Sequence, residues 1–190
     1  MTTGWQAAAA LAEACRTLDV ASAWTLLKGA TDRESACRIV RIAARGDDTP
    51  RSVNFWHLMH IAVGCIRGET TAQERLELSI WSGDQDLGEE AIHEKADINY
   101  ITPNWLLYGR ESMLAVALHI ERESTVRWIL SMKPKIKKTK SLDKLLAFLE
   151  KSEDDGRRNM ARLVRAAIEA QEIEKGLSKR RATTSSRNRL

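Results

Sequence analysis

Four histidines, three cysteines and a scatter of paired carboxylates are the groups through which this 190-residue chain could do chemistry. His57 and His60 stand three apart and can share a helix face, but no third ligand follows at a metal-site spacing. Cys15, Cys37 and Cys65 form no CxxC pair and have no histidine partner at zinc spacing. They sit among apolar residues at helical intervals, the setting of buried, reduced thiols and not of a disulfide framework. The pairs Glu89–Glu90 and Asp47–Asp48 fall in polar stretches, where no desolvation would tune one acid against the other. There is no GxSxG, HExxH, GxGxxG or phosphate-binding glycine loop. The expectation is a protein that is not an enzyme and carries no metal or cofactor.

Groups suited to binding are better represented. The stretch Tyr100-Ile101-Thr102-Pro103-Asn104-Trp105-Leu106-Leu107-Tyr108 is too apolar for an ordinary solvated turn. It carries two Tyr and one Trp, which anchor interfaces because each is large, rigid and polar at one end. Tyr100, Asn104, Trp105, Tyr108 and the following Arg110 are therefore candidate partner-binding residues. Trp56, beside Phe55 and His57, joins them. Trp24 and Trp128 lie beside leucines and isoleucines at helical spacing and are expected to pack in the core.

The elements that must position these residues read as helices. Apolar residues recur at helical intervals, as in Leu11, Ala14, Cys15 or Leu114, Ala117, Leu118, and no segment sustains strand-like alternation. Pro50, Pro103 and Pro134 each fall between helix-like segments, as a residue without a backbone donor should. The fold class expected is all-α, eight to ten short helices arranged as antiparallel hairpins. With 43% hydrophobic and 29% charged residues the composition is that of a globular chain. No run approaches the roughly 18 apolar residues of a membrane span. Met1 to Cys15 has no basic region ahead of its alanines, so an intracellular location, cytoplasmic or nuclear, is expected.

A faint internal repeat organises the helices. Ala96-Asp97-Ile98-Asn99 precedes a loop, then Gly109-Arg110-Glu111-Ser112-Met113-Leu114-Ala115-Val116-Ala117, then Thr125-Val126-Arg127-Trp128-Ile129-Leu130. This resembles an ankyrin repeat, matching without a gap from Met113 to Ile136, with Ser112-Met113 standing where Thr-Pro is usual. Residues 11–30 resemble a first repeat, Met59-His60-Ile61-Ala62-Val63 the core of another, and 142–168 a closing one. The stretch 64–94 is too long for one helix and one turn of such a unit. The resemblance implies an ankyrin-like solenoid in which Tyr100–Tyr108 is a projecting finger and His60 holds a turn. It further implies an adaptor or inhibitor that binds a protein partner through its fingers and concave helical face. Alanines 12, 14, 43, 62, 115 and 117 would let adjacent helices approach.

Charge separates a terminal segment from this body. Residues 176–190 contain Lys179, Arg180, Arg181, Arg187 and Arg189, no acid and almost nothing apolar. They are expected to form a disordered basic tail following a helical domain over 1–175. The tail's five charges exceed the net +4 of the whole chain, leaving the body close to neutral. Two charge runs, lysines at 133–140 and acids at 84–97, are expected to be solvated loops. The alternative to a protein-binding module is an all-helical nucleic-acid-binding or capsid-like protein that uses the tail on phosphates. Lys179-Arg180-Arg181-Ala182-Thr183 is also similar to sites of basophilic kinases. The identity of the partner and the oligomeric state are not legible in the residues.

Overall fold

The computed structural model describes the backbone of residues 4–45, 50–104 and 109–187. Among these residues the chain is all-α apart from one short ribbon, with ten helices. It divides into two compact units, Met1–Ile120 and Glu121–Leu190.

The first unit contains α1 (Gly4–Arg16), α2 (Val20–Lys28), α3 (Arg33–Ala43), α4 (Pro50–Arg67), α5 (Ala72–Ser82), α6 (Gln85–His93), strands β1 (Ile101–Asn104) and β2 (Gly109–Ser112), and α7 (Met113–His119). Helix α1 packs on α2 and α3, α2 on α4 and α5, and α5 on α6 and α7. The turns that fold these helices back are built alike. Between α1 and α2, Leu18 takes a left-handed backbone at φ 57° and Asp19 caps α2 by accepting from the Ser22 amide. Between α5 and α6, Gly83 is left-handed at φ 77° and Asp84 caps α6 through Leu87. A left-handed residue ends a helix because its amide can turn back onto the last carbonyls, and an Asp side chain satisfies an orphan amide of the next helix. Helix α5 begins with a reciprocal capping box between Thr71 and Glu74.

The stretch 64–94, too long for one helix and one turn, is the end of α4, all of α5 and all of α6. The acidic run is a helix with Gly88 and Ala91 turned into the core, so its carboxylates occupy the solvated face of an amphipathic element. A core cluster of this unit includes Leu11, Cys15, Trp24, Leu27, Cys37, Phe55, Met59 and Leu78. Ala14, Ala62, Ala115 and Ala117 are buried as expected, whereas Ala12 lies on the exposed face of α1.

The second unit contains α8 (Glu123–Ser131), α9 (Lys140–Glu150) and α10 (Asp155–Arg187), with α10 packed on both others. Val126 and Ile129 of α8, Leu142, Leu146 and Leu149 of α9, and Met160, Ala161, Val164 and Ile168 of α10 form its core. Past Ile168 the helix buries no described residue, and Ile173 and Leu177 are 63% and 52% exposed. Its backbone stays helical to Arg187. Propagating a helix already nucleated by packing costs little, and this segment is rich in Glu, Gln, Lys, Arg and Ala, which favour it.

Candidate interaction surface

The finger expected at Tyr100–Tyr108 is built on a two-stranded antiparallel ribbon. Ile101 pairs with Ser112, Thr102 with Glu111, Pro103 with Arg110 and Asn104 with Gly109. A proline is tolerated there because each strand of a two-stranded ribbon has a free edge. The chain enters the ribbon through a fixed segment: the Gln73 side chain on α5 accepts from the Asp97 amide at 2.9 Å and donates to its carbonyl at 3.4 Å. Asp97 in turn accepts from the Asn99 amide at 2.8 Å, an Asx turn that aims the chain into β1. The ribbon leaves directly into α7, whose N-cap is Ser112, accepting from the Ala115 amide. Ser112 thereby supplies by a hydroxyl what a Pro at the next position would have supplied by preset backbone geometry.

At the foot of the ribbon Tyr100 is 38% and Ile101 42% exposed. On the other strand Glu111 is buried, and its carboxylate lies 3.3 Å from Nε2 of His119 on α7, tying β2 to the helix that follows. Nothing in the local sequence around Glu111 marks it as buried; the tie spans eight residues and depends on the turn at Ser112.

The expected partner-binding residues are placed as follows. Trp105 and Tyr108 lie outside the described residues, in the four-residue connection between the strands. Asn104 and Arg110 lie on paired strand positions, with side chains outside the described set. Tyr100 is exposed beside them. Trp56 is half-buried against the core cluster of the first unit, with its ring edge-on to Phe55 at 4.7 Å. Trp24 is buried and Trp128 half-buried, as their helical spacing predicts. Lys179, Arg180, Arg181 and Arg187 lie on the distal part of α10, and Arg189 is outside the described residues.

A second feature of the first unit had no signal in the sequence. Asp84 Oδ2 accepts from Trp24 Nε1 at 2.8 Å and from Lys28 Nζ at 2.6 Å, while Oδ1 accepts from the Leu87 amide at 3.3 Å. The Lys28 ammonium also lies 5.8 Å from the centre of the Trp24 ring, a cation–π contact. Partial burial pushes the Asp84 carboxyl up, but the hydrogen bonds from Lys28, Trp24 and Leu87 outweigh it and hold the group below the usual carboxylate range. Around these residues opens a polar cleft of about 390 Å³ that includes Thr25, Ser82, Gln85 and Asp86.

Among the described residues no three His, Cys, Asp or Glu side chains converge on a metal position. The three thiols are free, two buried and one half-buried. No helix among the described residues is long and apolar enough to cross a membrane. No protein-family model matches the chain, and it has no significant match among curated proteins or solved structures.

Proposed function

We propose that the protein is a non-enzymatic interaction module, an adaptor or inhibitor whose helical hairpins are stacked in the ankyrin-like manner. In this reading the ribbon over 101–112 is the finger that contacts a protein partner. The observation that carries it is the ribbon itself: an antiparallel pair, anchored at one end by Gln73 and Asp97 and at the other by Ser112, whose connection contains Trp105 and Tyr108. Binding groups carried on a fixed base lose less freedom on binding, which lowers its ordering cost. The exposed Tyr100 and Ile101 extend an apolar contact surface toward its foot. The repeated left-handed residue and Asp cap between α1 and α2 and between α5 and α6 support a scaffold built of like units.

The test is substitution of Trp105 and Tyr108 together by alanine, with partner capture from lysate and helical circular dichroism measured on the same preparations. The expected outcome is partner retention reduced at least tenfold with ellipticity unchanged. Equal retention by the variant would remove the finger as the contact, and a loss of helicity would make the two rings part of the packing.

A further inference from the structure

The second unit has a face that neither the finger nor the terminal basic residues account for. The unit boundary divides the charge sharply: residues 1–120 hold 11 basic and 16 acidic side chains, a balance of −5, and residues 121–190 hold 19 and 10, a balance of +9. Together these make the net +4. Five of the nine excess charges belong to residues beyond 175, so four remain on the packed part of the unit.

Those charges are displayed in an orderly way. Between α8 and α9 the chain is held against α10 by Gln171, which donates to the Pro134 carbonyl at 2.6 Å and accepts from the Ile136 amide at 3.2 Å. Pro134 is buried and Ile136 half-buried, whereas Lys133, Lys135 and Lys137 are exposed. Lys133 itself is left-handed at φ 51°, ending α8 with its amide on the Leu130 carbonyl. On α9, Lys140, Lys144, Phe148 and Lys151 follow one another at steps of four, four and three on the face opposite Leu142, Leu146 and Leu149. Phe148 is 62% exposed in the middle of it.

The acids of α9 do not cancel this field. Arg165 on α10 engages both, Asp143 at 3.1 Å and Glu150 at 3.0 Å, which draws them to the side facing α10. Lys138 pairs with Glu172. The row ends past Lys151, where Glu153, Asp154 and Asp155 begin.

A line of cations with one aromatic ring among them fits a ligand that carries regularly spaced negative charge and a flat face between the charges. Single-stranded nucleic acid has both, since an unpaired base stacks on an aromatic side chain while its phosphates meet lysines. A duplex would leave the ring without a base to stack on. An anionic membrane would require a broad apolar face, and the apolar face of α9 is already buried in its own core. We propose that Lys140, Lys144 and Lys151, with Phe148, form a binding surface for single-stranded nucleic acid, flanked by the exposed Lys133 and Lys137. It differs in place from a phosphate contact made by the terminal basic residues, and it stands independently of the finger's partner.

The experiment uses the full chain and a fluorescent oligothymidylate of about 20 nucleotides, longer than one site of this kind, read by anisotropy across a salt series. Phe148→Ala weakens binding about five- to a hundredfold, as loss of one stacked base does, and Phe148→Trp restores it. Ellipticity is unchanged in both, because the ring is exposed. Replacing Lys140, Lys144 and Lys151 by glutamine lowers the slope of log affinity against log salt by about 2, three contacts at about 0.7 each. The proposal is overturned by any of four results. These are no binding at low salt, binding unchanged in Phe148→Ala, a salt slope unchanged in the triple variant, or equal affinity for a duplex of the same length. Binding to phosphatidylserine vesicles but not to the oligonucleotide would assign the lysines to a membrane instead and also overturn it.

Discussion

Asp84 carries three donors on two oxygens, and each donor comes from a different structural need: an indole to satisfy, an ammonium to neutralise and a helix end to cap. Asp84→Ala removes all three at once and should cost about 1–3 kcal/mol in urea unfolding. Because the folded-state carboxyl is held below its usual range, its stabilisation is fully present above about pH 4 and is lost as pH falls through the lower folded value. The stability gap between wild type and Asp84→Ala should therefore be constant near neutrality and close in strong acid. Lys95 offers a change of opposite sign. It follows α6 at φ 71°, exposed, with the Ala96 amide reaching back to the Ala91 carbonyl at 2.9 Å. That is the position where glycine is favoured, since a Cβ in the left-handed region costs about 1–2 kcal/mol. Lys95→Gly should raise stability by up to about 1 kcal/mol, after the glycine's greater unfolded entropy, with an unchanged denaturant slope. Burial pushes the Cys15 thiol up to about 11 and also raises Cys37 and Cys65. At pH 8 iodoacetamide should leave all three unmodified in the native protein and label all three in guanidinium, since only the thiolate reacts.

Each helix that escaped sequence reading did so for a physical reason. In α6 only Gly88 and Ala91 are buried, so a helix of nine residues packs by its smallest side chains and looks like a polar loop in composition. The ribbon is too short for alternation to register, four residues on each strand with a proline in one. Its strand character comes from pairing, anchored by Gln73, a residue 24 positions from its partner Asp97. The distal part of α10 is the converse case, helical by propensity and continuity with nothing buried past Ile168 among the described residues. Ending the chain at residue 175 should accordingly remove the ellipticity of residues 176–187 and leave the thermal midpoint where it is. A fall in the midpoint would mean that the distal helix contributes packing.

For the molecule as a whole, net charge is a poor guide because the two units differ so much. Ending the chain at 175 removes five basic residues and takes the net charge from +4 to −1. A protein with that charge evenly spread would pass through a phosphocellulose column at neutral pH. This one should still be retained at low salt, because residues 121–175 keep an excess of four positive charges. Retention should disappear near physiological ionic strength, where charges separated by more than about 8 Å are screened. Flow-through at low salt would show that the lysines of 133–151 present no continuous field.

The residues alone determined what local forces decide. Helical periodicity placed α1, α2, α7 and α8, burial of Cys15, Cys37 and Trp24 followed from their apolar neighbours, and Ser112 and Met113 marked the start of α7. These depend on side chains three or four positions apart, within reach of one turn of helix. Trp105 and Tyr108 were legible as candidate anchors by type, and the ribbon that flanks them was not. Tertiary structure alone brought Trp24 and Lys28 to Asp84 across 60 and 56 residues, turned Trp56 into the core edge and set the unit boundary after Ile120. It also sorted the charges of α9, since the face that Arg165 draws the acids toward, and hence the face that leaves Phe148 among lysines, depends on which helix packs beside it. Sequence spacing fixes which residues share a face; only packing decides which face meets water.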